Sequence, residues 1–175
     1  MSDVKKTDFA SIDAYIKGMM RLLSSPNETP IFNGYLEENK NLSELITNSK
    51  LPEELLAFME SMNAKLEHII GVLEHNKMEA SFPIDIEIRN ISASELLFTC
   101  EQKLEPGKLV EAVLPLTQMP LSIAGGIGKI EPLTHPKFGQ IWKLSFTRIR
   151  EQDLEAIVHF VFQQERKRIR EIRWD

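Results

Sequence analysis

A glycine-rich run, Gly125-Gly126-Ile127-Gly128-Lys129, is the first place in the chain where residue types suggest chemistry. Runs of this kind can wrap a phosphate with backbone N–H groups. The nucleotide-binding loop also requires Gly five residues before its second Gly and Ser or Thr after the Lys, where this chain has Ile123 and Ile130. The run therefore predicts a bulged or tightly packed strand and no nucleotide site.

Histidine and cysteine residues are the next candidates. His68 and His75 lie seven residues apart on one face of a predicted helix, but no Cys, Asp or Glu pattern beside them completes a zinc site. Cys100 is the single cysteine, which excludes an internal disulfide and fits a reducing cytoplasm; its apolar neighbours predict a core strand position. Since no nucleophile-base or paired-carboxylate arrangement is visible, we expect no catalytic residue, no metal and no enzyme activity.

Polar residues follow an alternating strand pattern in the middle of the chain. Ile84, Ile86 and Ile88 alternate with charged residues, and Arg89, Asn90 and Ser92 come directly afterwards. Asn and Ser at such a position could contact a ligand, but they more commonly hydrogen-bond to the backbone and close a hairpin. The turn is the favoured interpretation.

Composition restricts the class of protein that positions these residues. The chain has 175 residues, 42% of them hydrophobic and 27% charged, with a net charge of -5. These proportions exclude intrinsic disorder, and the negative charge disfavours nucleic acid as a partner. No stretch reaches the ~20 apolar residues of a membrane span. We therefore expect a cytoplasmic protein that does not insert into membranes.

The pattern of apolar residues divides the chain into a helical extension, residues 1–78, and a β-rich part with a terminal helix, residues 79–175. Asp8 can cap a first helix that ends near Leu23. That helix would carry on one side Phe9, Ile12, Ile16, Met19, Met20 and Leu23. A connector over 26–41 and a small helix over 42–46 are predicted to follow.

The second helix of the extension, about 52–75, has the clearest periodicity in the chain. Its apolar residues alternate at spacings of four and three, which is a heptad pattern typical of coiled coils. The residues of this seam are Leu55, Met59, Met62, Leu66, Ile69 and Leu73. Apolar residues also flank the seam, which favours a bundle between several chains, and Leu at a with Ile at d favours a tetramer over a dimer. The alternative is a helical hairpin within one chain.

The β-rich part contains short apolar runs separated by turn residues, at 82–92, 96–100, 109–116, 121–130 and 141–146. Such spacing predicts a small closed antiparallel barrel, so the fold class is α+β. A last helix begins near Glu151, with Leu154, Ile157, Val158 and Val161 expected on its buried face. Its final turns are basic, which suits the helix dipole, although a docking tip for an acidic partner is an alternative.

The order of these parts resembles the PilZ domain family. The segment Asn90-Ile91-Ser92-Ala93-Ser94-Glu95 is similar to the family's Asp/Asn-x-Ser-x-x-Gly signature, and Leu104-Glu105-Pro106-Gly107-Lys108 is similar to the turn that follows it. The resemblance implies a six-stranded barrel with a terminal helix. It also implies cyclic di-GMP as a ligand, held by an Arg-x-x-x-Arg segment before the first strand and by the Asn-x-Ser turn.

The chain departs from the family at the ligand-binding positions. Residues 76–84 contain no arginine and leave Lys77 as the one cation, while Glu95 replaces the glycine of the signature. PilZ proteins that lack these motifs generally act by protein contact in pilus or motility pathways, and some oligomerise through an added heptad helix. The sequence therefore predicts a self-associating signalling adaptor with a protein partner and without the usual cyclic di-GMP site. The alternative is a receptor that uses Lys77, Arg89, Asn90 and Ser92.

Overall fold

The structure, a computed structural model, describes residues 10–33, 50–118 and 121–172 of the chain. Over these ranges it contains six strands and two long helices. In chain order the elements are β1 (Ser11–Leu22), α1 (Glu53–Ser81), β2 (Ile84–Ser92), β3 (Glu95–Thr99), β4 (Leu109–Gln118), β5 (Leu121–His135), β6 (Gly139–Ile149) and α2 (Glu151–Ile172).

The six strands form one closed barrel in the order β1-β2-β3-β6-β5-β4, and every neighbouring pair is antiparallel. Closure leaves no strand edge with unpaired backbone groups. The predicted α+β class, antiparallel barrel and terminal helix are thus confirmed. All five predicted strand runs are strands, and most are longer than their apolar cores suggested.

The predicted first helix, from Asp8 to Leu23, is wrong over the described residues. Ser11–Leu22 is strand β1, which pairs with β2 on one side and with β4 on the other. Ile12, Ile16 and Met20 are buried in the barrel. Their spacing of four residues fits one face of a helix and also alternate positions of a strand, so local periodicity could not decide between the two. Pairing with β2 and β4 decided it.

This strand also changes how the two parts of the chain relate. The extension predicted over 1–78 supplies one of the six barrel strands. The helix predicted over about 52–75 is confirmed as α1, which runs somewhat longer, to Ser81. The small helix predicted over 42–46 lies outside the described residues, and the division into two domains stays a prediction.

Two apolar clusters hold the described elements together. The larger fills the barrel and includes Phe98, Ile130 and Leu144, with Ile157 and Phe160 of α2 packed into it. The smaller lies where α1 ends and joins Phe82 to residues of three strands. Its other members are Met19, Val113 and Ile123, with Phe32 and Met78 packed against them. Within the described residues, the apolar clusters therefore join the barrel to both helices, and to α1 at its C-terminal end.

A buried carboxylate fixes the segment that leaves β1, which we call the strap (residues 23–33). The Glu111 side chain on β4 is only 1% exposed and accepts a hydrogen bond of 2.7 Å from Arg21 Nε. It also accepts bonds from the backbone N–H groups of Ile31 and Phe32, at 3.2 and 2.9 Å. Because a buried charge is tolerated only when it is paired and hydrogen-bonded, these contacts position the strap on the barrel.

The role of β1 gives a direct test of the fold. Met20→Ala should lower the free energy of unfolding by about 2–5 kcal/mol, because Met20 is fully buried and truncation leaves a cavity. Lys17→Ala, on the exposed face of the same strand, is the matched control and should change it by less than about 0.5 kcal/mol. Urea unfolding measures both. Equal effects of the two substitutions would contradict the placement of β1 in the barrel.

Candidate functional site

The glycine-rich run lies in strand β5, as the sequence predicted, and its glycines provide space for neighbouring side chains. A Cβ atom at Gly125 would lie 2.3 Å from the Phe32 ring, and one at Gly126 would lie 2.9 Å from Phe146. At Gly128 a Cβ atom would lie 2.4 Å from Leu144. The run therefore packs rings and aliphatic groups against the sheet, and the interpretation as a packed strand is confirmed.

A cavity of about 270 Å³ lies between the strap and strands β5 and β6, with Arg148 and Arg150 in its wall. Both arginines contact residues of the strap. Arg148 donates hydrogen bonds of 3.1 and 2.9 Å to the carbonyl oxygens of Pro26 and Glu28. The Arg150 guanidinium lies 5.3 Å from the centre of the Phe32 ring. These contacts secure the strap to the barrel.

Ser92, the serine of the family signature, forms a turn with the backbone. It is 3% exposed, and its Oγ accepts hydrogen bonds from the N–H groups of Ser94 and Glu95 at 3.3 and 3.1 Å. The hydroxyl also lies 3.1 Å from the Glu95 carbonyl oxygen, to which it donates. The chain reverses here between β2 and β3, so the side chain closes the hairpin, as the favoured interpretation expected.

Asn90 bonds to a residue of β1, which the sequence had not placed nearby. Its Nδ2 donates to Asp13 Oδ1 at 2.9 Å, and Lys137, from the turn between β5 and β6, contacts the other carboxylate oxygen. The hydrogen bond from Lys137, followed by the one from Asn90, lowers the pKa of Asp13 below its ordinary value. The Asp13 carboxylate thus accepts the hydrogen bond that the Asn90 amide would otherwise donate to a ligand.

Arg89 is held by two neighbours on the outside of the barrel. Its Nη2 donates to Glu87 Oε2 at 2.9 Å, and its guanidinium lies 4.8 Å from the centre of the Tyr15 ring. Tyr15 is 80% exposed, so the arginine and the ring form an open surface pair. The Tyr15 and Asp13 contacts were missed from the sequence because the segment that carries them was assigned to a helix.

Lys77 does not join this group. It is exposed on α1, at the end of β2 where Ile84 begins the strand. Asn90 lies six residues further along β2, about 20 Å by the rise of a strand. The structure therefore brings Arg89, Asn90 and Ser92 together at one end of β2 and leaves Lys77 at the other.

The remaining candidates for chemistry are dispersed. His68 is exposed on α1, and the His135 ring stacks on Phe138 at 4.8 Å between centroids. Cys100 directly follows β3 and is half-buried, and burial raises the pKa of its thiol, which opposes formation of a nucleophilic thiolate. Within 10–33, 50–118 and 121–172, no three His, Cys, Asp or Glu residues are grouped as they would be around a metal ion.

The apolar seam of α1 is uncovered in the single chain. Its six residues are between 38% and 63% exposed, although α1 is 29 residues long. They are Leu55, Met59, Met62, Leu66, Ile69 and Leu73. Four flanking residues add to this face: Leu56 is half-buried, and Phe58, Ile70 and Val72 are exposed. Over the described residues of the segment predicted as the first helix, Ser11–Leu22 is β1, so these residues do not form an intramolecular helical hairpin with α1.

The terminal helix differs from its predicted packing at one residue. Ile157 and Val161 are buried as expected and Leu154 is half-buried, but Val158 is 39% exposed. Phe162, Ile169 and Ile172 are exposed as well. The sequence showed their spacing, but only the packing shows which side of α2 the barrel covers. Neither α2 nor α1 is long and apolar enough to cross a membrane.

A closed six-stranded antiparallel barrel, with a turn between β2 and β3 and a helix packed into its core after β6, defines the class: the fold is PilZ-like. A solved structure has the same fold. A PilZ-domain protein of Xanthomonas campestris, described as a tetramer self-assembled via an unusual helical bundle, is similar with a TM-score of 0.56 and 15% sequence identity. The likeness covers 93% of this chain and 91% of that one.

A second similar structure is the Bacillus subtilis inhibitor of motility, MotI/DgrA, with a TM-score of 0.49 and 9% identity. The likeness covers 94% of this chain, which spans 53% of that protein's length. No family model and no curated protein matches the sequence. At 15% identity the likeness to the Xanthomonas campestris protein shows the fold alone.

The turn at Ser92 can be tested by stability. Ser92→Ala should lower the free energy of unfolding by about 1–3 kcal/mol, because it leaves two backbone N–H groups without this acceptor. Ser94→Ala is the control, since the Ser94 side chain is exposed and makes only a 3.4 Å contact with Ser92 Oγ. Thermal unfolding measures the difference. A Ser92→Ala variant as stable as the control would contradict a structural role.

Proposed function

We propose that this protein is a PilZ-like adaptor of bacterial second-messenger or pilus and motility signalling. It self-associates through α1, and it acts in the cytoplasm by contact with a protein partner and without catalysis. The observation that carries the proposal is the uncovered apolar seam of α1, on a helix that the barrel holds at its C-terminal end.

The energetics favour an assembly over an exposed helix. Each seam residue is roughly half exposed, so covering it contributes about 1 kcal/mol, and six such residues contribute several kcal/mol per chain. An isolated helix gains too little from its own hydrogen bonds to be stable in water without tertiary packing. Packing between copies would supply what the barrel does not.

Several copies suit this face better than two. Leu56 and Ile70 fall at e positions of the heptad, and Phe58 and Val72 fall at g positions, where a two-stranded coil usually carries charges. A four-helix bundle buries these flanks too. The Xanthomonas campestris protein of the same fold is described as a tetramer built on a helical bundle, which supports a tetramer here.

The contacts around the signature argue against the usual mode of cyclic di-GMP binding. Arg89 is engaged by Glu87 and Tyr15, and Asn90 is engaged by Asp13. A dianionic ligand at this end of β2 would have to displace one or both carboxylates and would face their charge. A protein surface is therefore the better candidate for what the barrel contacts.

Light scattering of purified protein tests the self-association. The wild-type chain should have the mass of a tetramer, and Leu66→Asp should dissociate it, because a carboxylate at the centre of the seam would be buried without a partner. Ala64→Asp places the same charge at an exposed f position of the same helix and should leave the mass unchanged. The seam would be excluded as the contact if the wild-type chain were a monomer, or if Leu66→Asp left its assembly unchanged.

The second candidate function is a cyclic di-GMP receptor that uses Lys77, Arg89, Asn90 and Ser92. The grouping of the last three residues at one end of β2 favours it, and the position of Lys77 does not. Calorimetric titration with cyclic di-GMP decides between the two. We expect no heat of binding at ligand concentrations up to about 100 µM. Low-micromolar or tighter affinity that Arg89→Ala abolishes would replace the adaptor proposal with the receptor.

A further inference from the structure

Helix α2 carries apolar residues on two neighbouring sides, about 100° apart around the helix axis. Ile157, Phe160 and Val161 are buried against the barrel. On the other side a second set is between 39% and 68% exposed: Val158, Phe162, Ile169 and Ile172. Because each residue of a helix turns by about 100°, this set falls within about 80° of the helix surface. We call it the outer stripe of α2; it extends over about 21 Å.

Charges are distributed unequally along the outer stripe. Glu151 and Glu155 are exposed at its N-terminal end, while Arg166 and Arg170 are exposed beside its C-terminal end. By the same rotation, Glu155 and Arg166 lie on the same flank of the stripe, about 20° and 40° from Phe162. The stripe is thus acidic at one end and basic at the other, with apolar residues between.

From this pattern we propose that the outer stripe is a self-association surface, on which a second copy of the chain docks its own α2 in antiparallel orientation. A twofold axis that passes between the two helices, level with the midpoint of Phe160 and Val161, places Glu155 of each copy opposite Arg166 of the other. Each twofold contact occurs twice, so two Glu155–Arg166 pairs lie along one flank of the apolar strip.

The orientation follows from the charges. In a parallel pair Glu155 would face Glu155 and Arg166 would face Arg166, which like charges oppose. In an antiparallel pair related by a twofold axis, residues on one flank of a helix meet the same flank of the other. Glu155 and Arg166 satisfy that condition because they share a flank.

An open hollow on the outer stripe could receive an aromatic side chain of the second copy. Beside Phe162 is an open hollow between side chains of α2, lined by Leu154 and Val158 and bordered by Glu155 and His159. In the antiparallel pair, Phe162 of one copy lies opposite His159 of the other, at the border of this hollow. Buried aromatic residues near the middle of an interface commonly contribute most of its binding energy.

This surface is separate from the seam of α1. The barrel covers a neighbouring side of α2, about 100° away around the helix, and leaves the outer stripe exposed. The inference therefore goes beyond the bundle of the proposed function and gives the chain a second, isologous contact. Either contact can exist without the other, which makes the two separable by experiment.

The test uses the full-length chain with Leu66→Asp, so that the seam of α1 does not contribute. Sedimentation equilibrium should show a monomer-dimer mixture at about 100 µM. Adding Arg166→Glu should weaken the dimer about tenfold, since it replaces two attractive pairs per dimer with two repulsive ones. Glu155→Arg alone should do the same. The double substitution should restore the dimer to within about threefold, because it exchanges the charges.

Matched controls separate this from general effects of charge and folding. Lys167→Glu makes the same charge change as Arg166→Glu, but on the side of α2 away from the outer stripe, and should leave the dimer unchanged. Phe162→Asp should abolish the dimer, and because Phe162 is exposed in the single chain, the thermal unfolding temperature of the monomer should stay the same.

Three outcomes would overturn the proposal. One is a Leu66→Asp chain that stays monomeric at about 100 µM while the wild type is a larger assembly, which would leave the α1 bundle intact and remove the α2 contact. Another is a dimer that Arg166→Glu weakens and Glu155→Arg does not. In that case Arg166 would contact an acidic surface of the second copy that lies outside α2. The third is a dimer that none of the stripe substitutions changes.

Discussion

The pairing of β1 with both β2 and β4 is the constraint on which the rest of the structure depends. Without Ser11–Leu22 the other five strands would form an open sheet with two unpaired edges, since β2 and β4 are its terminal strands. With β1 in place the barrel closes around a core that includes Ile12, Ile16 and Met20. Closure also fixes where the chain must travel next, because β1 ends beside Glu111 of β4.

That position explains the buried carboxylate. Arg21 on β1 and the N–H groups of Ile31 and Phe32 converge on Glu111, so the strap returns across β4 and β5 and not into solvent. Phe32 can then pack closely against Gly125, where any larger residue would collide with its ring. A run that looked like a phosphate loop is thus the surface on which the strap is packed.

In a ligand-binding barrel, the polar residues of the signature would be available to a ligand. In this protein they bond within the chain, and apolar residues are exposed instead. The polar residues of the signature, Asn90 and Ser92, are used within the protein, to bind Asp13 and to close a turn. Most of the exposed large apolar residues lie on the two helices. Exposed apolar surface of this extent normally marks an interface, which is the basis of the proposed self-association.

The sequence by itself determined the elements whose patterns have one physical meaning. Alternation around Ile86 could only be a strand, strict heptads from Leu55 to Leu73 could only be a helix, and the order of the turns indicated a PilZ-like barrel before any coordinates. Only the tertiary structure decided β1, because residues four apart lie on one face of a helix and of a strand alike. It also decided that Val158 is on the outer side of α2 and that Asp13 meets Asn90. Those facts depend on contacts between residues far apart in the chain, which local patterns do not encode.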